Sequence, residues 1–333
     1  MKPSVSIITA AYNAEDTLPG MIGSVLTQDY PGPIELVIVD DGSQDRTRAI
    51  AEHFATLWAP GSRIGIRVLA QDNRGQAAAR NRAIEAASGE YLAIVDADDI
   101  LLPAYLSRAI EMLVEHGRPR ALVTCNAVVL NPAGVAGGRT FFRDPHPGPE
   151  RVREAMLRAN VCSIFSVFPR ALVRDIGVFD EGLRACEDWD LWLRAAFGGW
   201  EILRQEEPQA LYRWTGESVS SNGERVYAAE TEVMNRALER FGDEMSEREA
   251  AIARARIEMG PPSQRLGRFE QLLRAGRLRD AGREIRGAAK LLRGQRAVQA
   301  KALVSRVPGG TLALRWHLAK RDAKTGFRAG MER

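Results

Sequence analysis

The chain has 333 residues, 45% hydrophobic and 27% charged, which suits about two domains of ordinary size and excludes a disordered or fibrous chain. No apolar run approaches the ~20 residues needed to span a bilayer, and Met1-Lys2-Pro3 runs into a strand-like Val5-Ser6-Ile7-Ile8 instead of a signal sequence. The three cysteines, Cys125, Cys162 and Cys186, are too widely spaced for a disulfide framework or a metal knuckle, so a reducing cytoplasm is expected; the net charge of +3 divides into 21 Lys+Arg against 8 Asp+Glu over residues 246–333 and 25 against 35 over residues 1–245.

Over the first 130 residues strands and helices alternate. Val5 to Ala10 reads as a strand. Asn13 can then cap a helix whose Leu18, Ile22, Val25 and Leu26 follow helical spacing. Residues 34–39 form a second strand, and Ser43 or Asp45 caps a second helix with Ile50, Phe54 and Leu57 on one face. Residues 64–70 make a third strand, 76–87 an Ala-rich helix closed by Gly89 as its C′ residue, 91–95 a fourth strand and 121–129 a fifth. Continuous apolar strands alternating with helices predict a mostly parallel sheet covered on both faces, whose ligands bind beyond the strands' carboxyl ends. Residues 131–150, rich in Gly, Pro and Arg, read as a mobile loop. Mixed structure returns over 151–245, with a helix at about 188–197, and 246–333 is helical. Within it, residues 272–285 resemble a single tetratricopeptide-like hairpin, too few copies for an array, so a docked helical extension is expected.

Two acidic clusters fall on the predicted rim. Asp40-Asp41-Gly42-Ser43 follows the second strand and Asp96-Ala97-Asp98-Asp99 follows the fourth. Clustered carboxylates raise one another's pKa unless a cation relieves them, and a hard divalent ion such as Mg²⁺ or Mn²⁺ would bridge them to a diphosphate. Each cluster alone could equally cap the helix after it, through Asp41 and Ser43 or through Asp99; their matching positions favour a ligand site. Gly75 opens the helix that carries Arg80 and lets backbone approach an anion, while Arg80 can pair with phosphate or brace Asp96. In Cys186-Glu187-Asp188-Trp189-Asp190, the acids sit at a helix start. Asp188 is then either a capping group or a general base beside apolar Trp surface.

Together these residues resemble the inverting, non-processive family 2 nucleotide-sugar glycosyltransferases of GT-A fold. The likeness spans about residues 3–220. It rests on Val5–Asn13, Asp40-Asp41-Gly42-Ser43, Asn73-x-Gly75 with Ala79-Arg80-Asn81, Gly89-Glu90-Tyr91 leading to Asp96-x-Asp98-Asp99, Gly177-x-Phe179-Asp180-Glu181, the Glu187–Arg194 run, and Tyr212-Arg213. The resemblance implies a GT-A domain in two halves, a donor-binding half at 1–130 and an acceptor and base half at 131–245, followed by the basic helical extension at 246–333. It implies donor contacts from Ala10, Tyr12, Asp41, Gly75, Arg80, Asp96 and Asp98, with Tyr12 and Asp41 on base and ribose. Asp96-x-Asp98 matches the family's DxD motif, with Asp98 or Asp99 holding Mn²⁺ or Mg²⁺ on the diphosphate. Asp188 matches the base that deprotonates the acceptor hydroxyl, and Glu187, Trp189 and Arg213 are further contacts to acceptor or diphosphate. The implied donor is a nucleoside-diphosphate sugar, with a family-level lean to uridine, and the implied acceptor a hydroxyl of a polysaccharide, lipid-linked or protein substrate.

Two departures matter. Many relatives place a His shortly after the Tyr-Arg pair, and the run Tyr212 to Ser218 has none, which leaves a third metal ligand open. No Gln-x-x-Arg-Trp motif with spans accompanies the site, so a processive polymer synthase is not expected. Nucleotidyl transfer would need a Gly-rich, basic phosphate loop, absent from residues 9–20. A second reading is a weakly catalytic sugar-nucleotide-binding scaffold whose tail recruits partners. In the tail, Leu312, Trp316, Ala319, Ala323 and Phe327 form a helical stripe flanked by Arg315, Lys320, Arg321 and Lys324. Such a stripe either packs against the catalytic domain or lies on an anionic membrane at the inner face of the plasma membrane. Nucleic acid is not an expected partner: aromatics are few and no binding module is present.

Overall fold

A strand buried on both faces must lie inside a sheet covered on both sides, because successive side chains point to opposite faces. In the computed structural model, β1 (Val5–Ala11) is buried at all seven positions, and β2 (Ile34–Asp40) at all but one. The structure describes residues 2–57, 62–131, 134–214, 223–260, 262–292 and 295–325. Its chain forms two compact units, Met1–Ala229 and Glu230–Arg333. The division falls within one helix, α8 (Gly223–Phe241), whereas charge composition shifts only at 246.

In the first unit, β3 (Ile64–Ala70) and β4 (Tyr91–Ile94) join β1 and β2 in parallel, in the order β3-β2-β1-β4. The intervening helices are α1 (Leu18–Leu26), α2 (Thr47–Leu57) and α3 (Gln76–Ala86). A two-residue strand, β5 (Ile100–Leu101), and α4 (Tyr105–His116) follow β4. Next come β6 (Ala121–Asn131), β7 (Gly134–Thr140), α5 (Val152–Arg158), β8 (Ser166–Pro169), α6 (Ala171–Ile176), α7 (Glu187–Phe197) and β9 (Glu201–Arg213). The sheet continues from β4 through β8, β6 and β9 to β5, with β7 paired to β6. β8 runs antiparallel to both β4 and β6, and β9 runs parallel to β6. The predicted fifth strand thus exists but does not neighbour the fourth.

Four local expectations are corrected. Asn13 does not cap α1, which starts at Leu18 after Thr17; its backbone takes φ 47° and its side chain accepts from the Gln44 N–H at 2.8 Å. Gly89 is not a left-handed C′ residue. A Cβ there would lie 2.5 Å from the backbone nitrogen of Ser6, so close approach to β1 is what requires glycine. Leu57 is exposed, and α2 buries Thr47 and Ala51 instead. The 131–150 segment, read as a mobile loop, holds β7, which pairs antiparallel with β6.

The second unit is helical: α9 (Glu247–Met259), α10 (Pro262–Arg274), α11 (Leu278–Leu291), α12 (Arg296–Val304) and α13 (Gly310–Thr325). Ser246 and Glu249 close a reciprocal capping box at the start of α9. Helices α10 and α11 form the predicted hairpin, turned at Gly276 with φ 74°. Phe269, Leu273, Ile285, Val298 and Leu318 are among the residues of this unit's own apolar core.

Candidate active site

Parallel alignment of β1, β2 and β4 brings Ala10, Asp41 and Asp96 to one edge of the sheet. There a cleft of about 820 Å³ opens, lined among others by Ala10, Tyr12, Asp41, Gly75, Asp96, Asp98, Glu187 and Arg213. Eight of the residues singled out in the sequence are therefore brought together. Asp99, Arg80, Asp188 and Trp189 are not in its lining.

Asp41 is buried and faces across the sheet. Its Oδ1 accepts from Gln71 Nε2 at 2.7 Å and the Arg74 N–H at 2.9 Å, and its Oδ2 accepts from the Gly75 N–H at 2.8 Å. It thus braces the loop that opens α3 and does not cap α2. Asp45 serves the α2 start instead, accepting from the Thr47 N–H at 2.9 Å. Gly75 holds φ 96°, which favours glycine.

The carboxylates of Asp96, Asp98 and Asp99 come within 4.8 Å of one another. Burial, then the nearby Asp96, pushes Asp98 up to about 6, and burial with both neighbours pushes Asp99 well above the usual carboxylate range. Asp99 does not cap α4. Its Oδ1 accepts from the Arg213 N–H at 2.7 Å because β9 pairs with β5 directly after the cluster. Its Oδ2 is buried with no hydrogen-bond partner among the described residues. An orphaned carboxylate oxygen beside two further acids fits a hard divalent cation, which would supply the missing partner and the missing charge. The residues after Trp214, where a relative's His would stand, lie outside the described residues through 222.

Arg80 resolves toward bracing. It is 2% exposed, donates to Asp96 Oδ1 at 2.5 Å and to Glu187 Oε1 at 2.5 Å, and lies over the Phe179 ring at 5.3 Å. The expected phosphate contact from Arg80 is thus not where the fold puts its guanidinium; the half-buried Asp96 and the buried Glu187 claim it, and they raise its pKa further. Trp189 is also corrected: it is 2% exposed and donates from Nε1 to the Met156 carbonyl at 2.9 Å, so it is core and not an acceptor contact.

Asp188 stands in the first turn of α7, after Cys186 in a left-handed conformation at φ 59°. A helix N-terminus favours the ionised carboxylate by under about one pKa unit. Burial and the adjacent Glu187 outweigh that and push Asp188 up to about 7, with Arg80 opposing them. Asp188 stays half-buried, and its Oδ2 accepts from Asn160 Nδ2 at 3.0 Å. Asn160 is in turn held by the Cys162 N–H, which donates to its Oδ1 at 3.2 Å.

Asn160, Arg184 and Arg225 were not anticipated. Arg184 and Arg225 line the cleft, and Arg225 donates to the Arg184 carbonyl at 2.7 Å. Arg184 carried a usable signal, two residues before the Cys186-Glu187-Asp188 run. Asn160 and Arg225 carried none, because their neighbours in space are distant in sequence.

Comparisons with known proteins bear on the family and the fold. Residues 6–174 match the family model described as glycosyl transferase family 2. The protein y4gI of Sinorhizobium fredii is 31% identical over 242 residues, which are 71% of this chain and 25% of that longer protein. The succinoglycan biosynthesis protein ExoO of Rhizobium meliloti is 33% identical over 212 residues, 59% of this chain and 57% of its own. Among solved structures, S. aureus TarS 1-349 in complex with UDP-GlcNAc has a TM-score of 0.62 at 19% identity, covering 99% of this chain and 94% of that one. The mannosyltransferase PcManGT from Pyrobaculum calidifontis, in complex with GDP-Man and Mn²⁺, has a TM-score of 0.59 at 18% identity over 95% and 88% of the two chains. These structures share the fold: a mostly parallel sheet flanked by helices, of GT-A type. With that sheet, its rim of carboxylates and a family match over more than half its length, this chain belongs to glycosyl transferase family 2.

Proposed function

We propose that this chain transfers a sugar from a nucleoside-diphosphate sugar, with UDP as the nucleotide, to a hydroxyl acceptor with inversion at the anomeric carbon. The observation that carries the reading is one salt-bridged group: Arg80 joins Asp96 of the acidic triad to Glu187, the residue beside Asp188. Donor and base are thereby held in fixed relation. Tyr12, 49% exposed at the cleft, offers an aromatic face to the nucleobase. Asp98 and Asp99 would hold Mn²⁺ or Mg²⁺, which when bound supplies positive charge for the diphosphate. The TarS complex with UDP-GlcNAc and the PcManGT complex with GDP-Man and Mn²⁺ support that assignment.

In the reaction the acceptor hydroxyl gives its proton to the Asp188 carboxylate while its oxygen attacks the anomeric carbon from the face opposite the diphosphate. The bond from anomeric carbon to diphosphate oxygen breaks, and the nucleoside diphosphate leaves with the electron pair. Arg213, Arg184 and Arg225 line the cleft where that charge develops. A base with a pKa of about 7 is matched to such a proton transfer. Asp188 is not among the residues lining the cleft, and its Oδ2 faces the Asn160 amide at 3.0 Å. The name of ExoO supports a polysaccharide acceptor, within the wider set of polysaccharide, lipid-linked or protein hydroxyls. None of the three cysteines is in a disulfide, which suits the cytoplasm, and no helix among the described residues is long and apolar enough to cross a membrane.

The test is a thermal-shift panel of sugar nucleotides and nucleoside diphosphates with and without Mn²⁺, followed by NMR of the product. A Mn²⁺-dependent rise for uridine members and an inverted anomeric configuration are expected. A retained configuration overturns the mechanism. Binding without turnover on any acceptor favours the donor-binding scaffold instead.

A further inference from the structure

Helix α13 has two opposed apolar faces and the second unit uses only one. Leu318 is buried in the unit's core, Leu314 packs partly buried against it, and Arg321 makes a bidentate pair with Glu270 at 2.8 and 2.9 Å. At 100° per residue, Leu312, Trp316 and Ala319 fall on the far side. Leu312 is 56% exposed and Trp316 65% exposed. Leu303, Val304 and Val307, at the end of α12 and in the turn before α13, are exposed as well. Single exposed apolar residues are ordinary, but five large ones within Leu303–Trp316 need an explanation. The predicted stripe thus does not pack into this unit's core. Of its other members, the Ala323 side chain and all of Phe327 lie outside the described residues.

Charge narrows the occupant to an anionic one. Between Lys301 and Thr325 the chain has Lys301, Arg306, Arg315, Lys320, Arg321 and Lys324 against a single acid, Asp322. Lys320 lies with its Nζ 4.7 Å from the Trp316 ring, so one side chain offers apolar surface and the next a cation at the same place. The second unit as a whole carries 23 Lys+Arg and 13 Asp+Glu, so a second copy of this basic surface would be repelled. Exposed Leu and Val have no use for nucleic acid, which takes stacking aromatics and phosphate contacts. Apolar side chains flanked by long cations suit an interface with hydrocarbon below and negative headgroups above.

We infer that the exposed Leu312–Trp316 face of α13 docks on an anionic phospholipid surface, with Arg315 and Lys320 beside the headgroups. The inference stands on the second unit alone and does not depend on the transferase reading.

The experiment is co-sedimentation of the full chain with vesicles of equal parts phosphatidylglycerol and phosphatidylcholine, and with phosphatidylcholine alone. Binding to the anionic vesicles and little to the neutral ones is expected. Leu312→Ser with Trp316→Ser should weaken it roughly tenfold or more, since two apolar side chains no longer leave water. Arg315→Glu with Lys320→Glu should abolish it, and the melting temperature of each variant reports on folding. Trp316→Phe should remove the blue shift of tryptophan fluorescence on vesicle addition. No binding to phosphatidylglycerol, or equal binding by both double variants and the parent, overturns the inference. So does a concentration-dependent dimer that the Ser variant abolishes without any vesicle binding.

Discussion

Asp188 and Asn160 carry the sharpest expectations. Asp188→Asn keeps the shape of the first turn of α7 but removes the proposed proton acceptor. Turnover should fall about 10²–10⁴-fold with donor affinity within a few-fold of the parent, read by steady-state rates and titration calorimetry. Loss of donor binding as well would reassign Asp188 to a structural role. As the proposed base, Asp188 would have to be ionised to act, and with its pKa pushed up to about 7 turnover should rise with pH through that value and fall below it. The Asn160 amide donates to the ionised carboxylate and so favours it. Asn160→Ala should therefore move the acidic limb of that profile to higher pH, whereas a merely structural asparagine would lower the rate at every pH alike. Asp98, raised to about 6, should take up a proton below that pH and weaken any Mn²⁺-dependent donor affinity, which calorimetry across pH 5–7 would record.

Secondary-structure elements hold these side chains through long-range pairs that local spacing does not announce. The Asp190–Arg194 pair is an i, i+4 contact legible in the sequence, yet Arg194 also reaches the Ile176 and Val178 carbonyls at 2.6 and 2.8 Å and so ties α7 to the turn after α6. Asn81 likewise exchanges bonds with the Phe179 backbone, both at 2.9 Å, so two motifs nearly a hundred residues apart serve each other. Arg194→Ala removes the buried guanidinium that pairs with Asp190 and holds the Ile176 and Val178 carbonyls, and should cost about 3–5 kcal/mol by urea unfolding. Gly89→Ala drives a Cβ into the backbone of β1 and should cost about 1–3 kcal/mol, with the loss seen in stability before it is seen in donor affinity.

The molecule divides its labour along the chain. Every residue lining the cleft lies within Met1–Ala229, where 23 Lys+Arg face 30 Asp+Glu; the second unit has its own core and the opposite charge. Ile285→Ala should leave a cavity in the second core at a cost of about 2–5 kcal/mol, visible by calorimetry as an earlier transition. Donor affinity below that transition should be unchanged. A parallel loss of donor affinity would mean that the cleft depends on the helical unit for its shape.

The sequence by itself determined the alternation of strands and helices, the position of both acidic clusters at strand ends, and a helix starting at about residue 188. Those are local facts, set by periodicity, turn chemistry and the side chains of a few neighbours. Tertiary structure alone decided that β8 reverses between β4 and β6, that Arg80 is a buried brace and that Trp189 belongs to the core. It alone decided the outward face of α13. Leu314 with Leu318 and Leu312 with Trp316 are both i, i+4 apolar pairs. Periodicity says which residues share a side of a helix, but which side leaves water depends on what the rest of the chain brings to meet it.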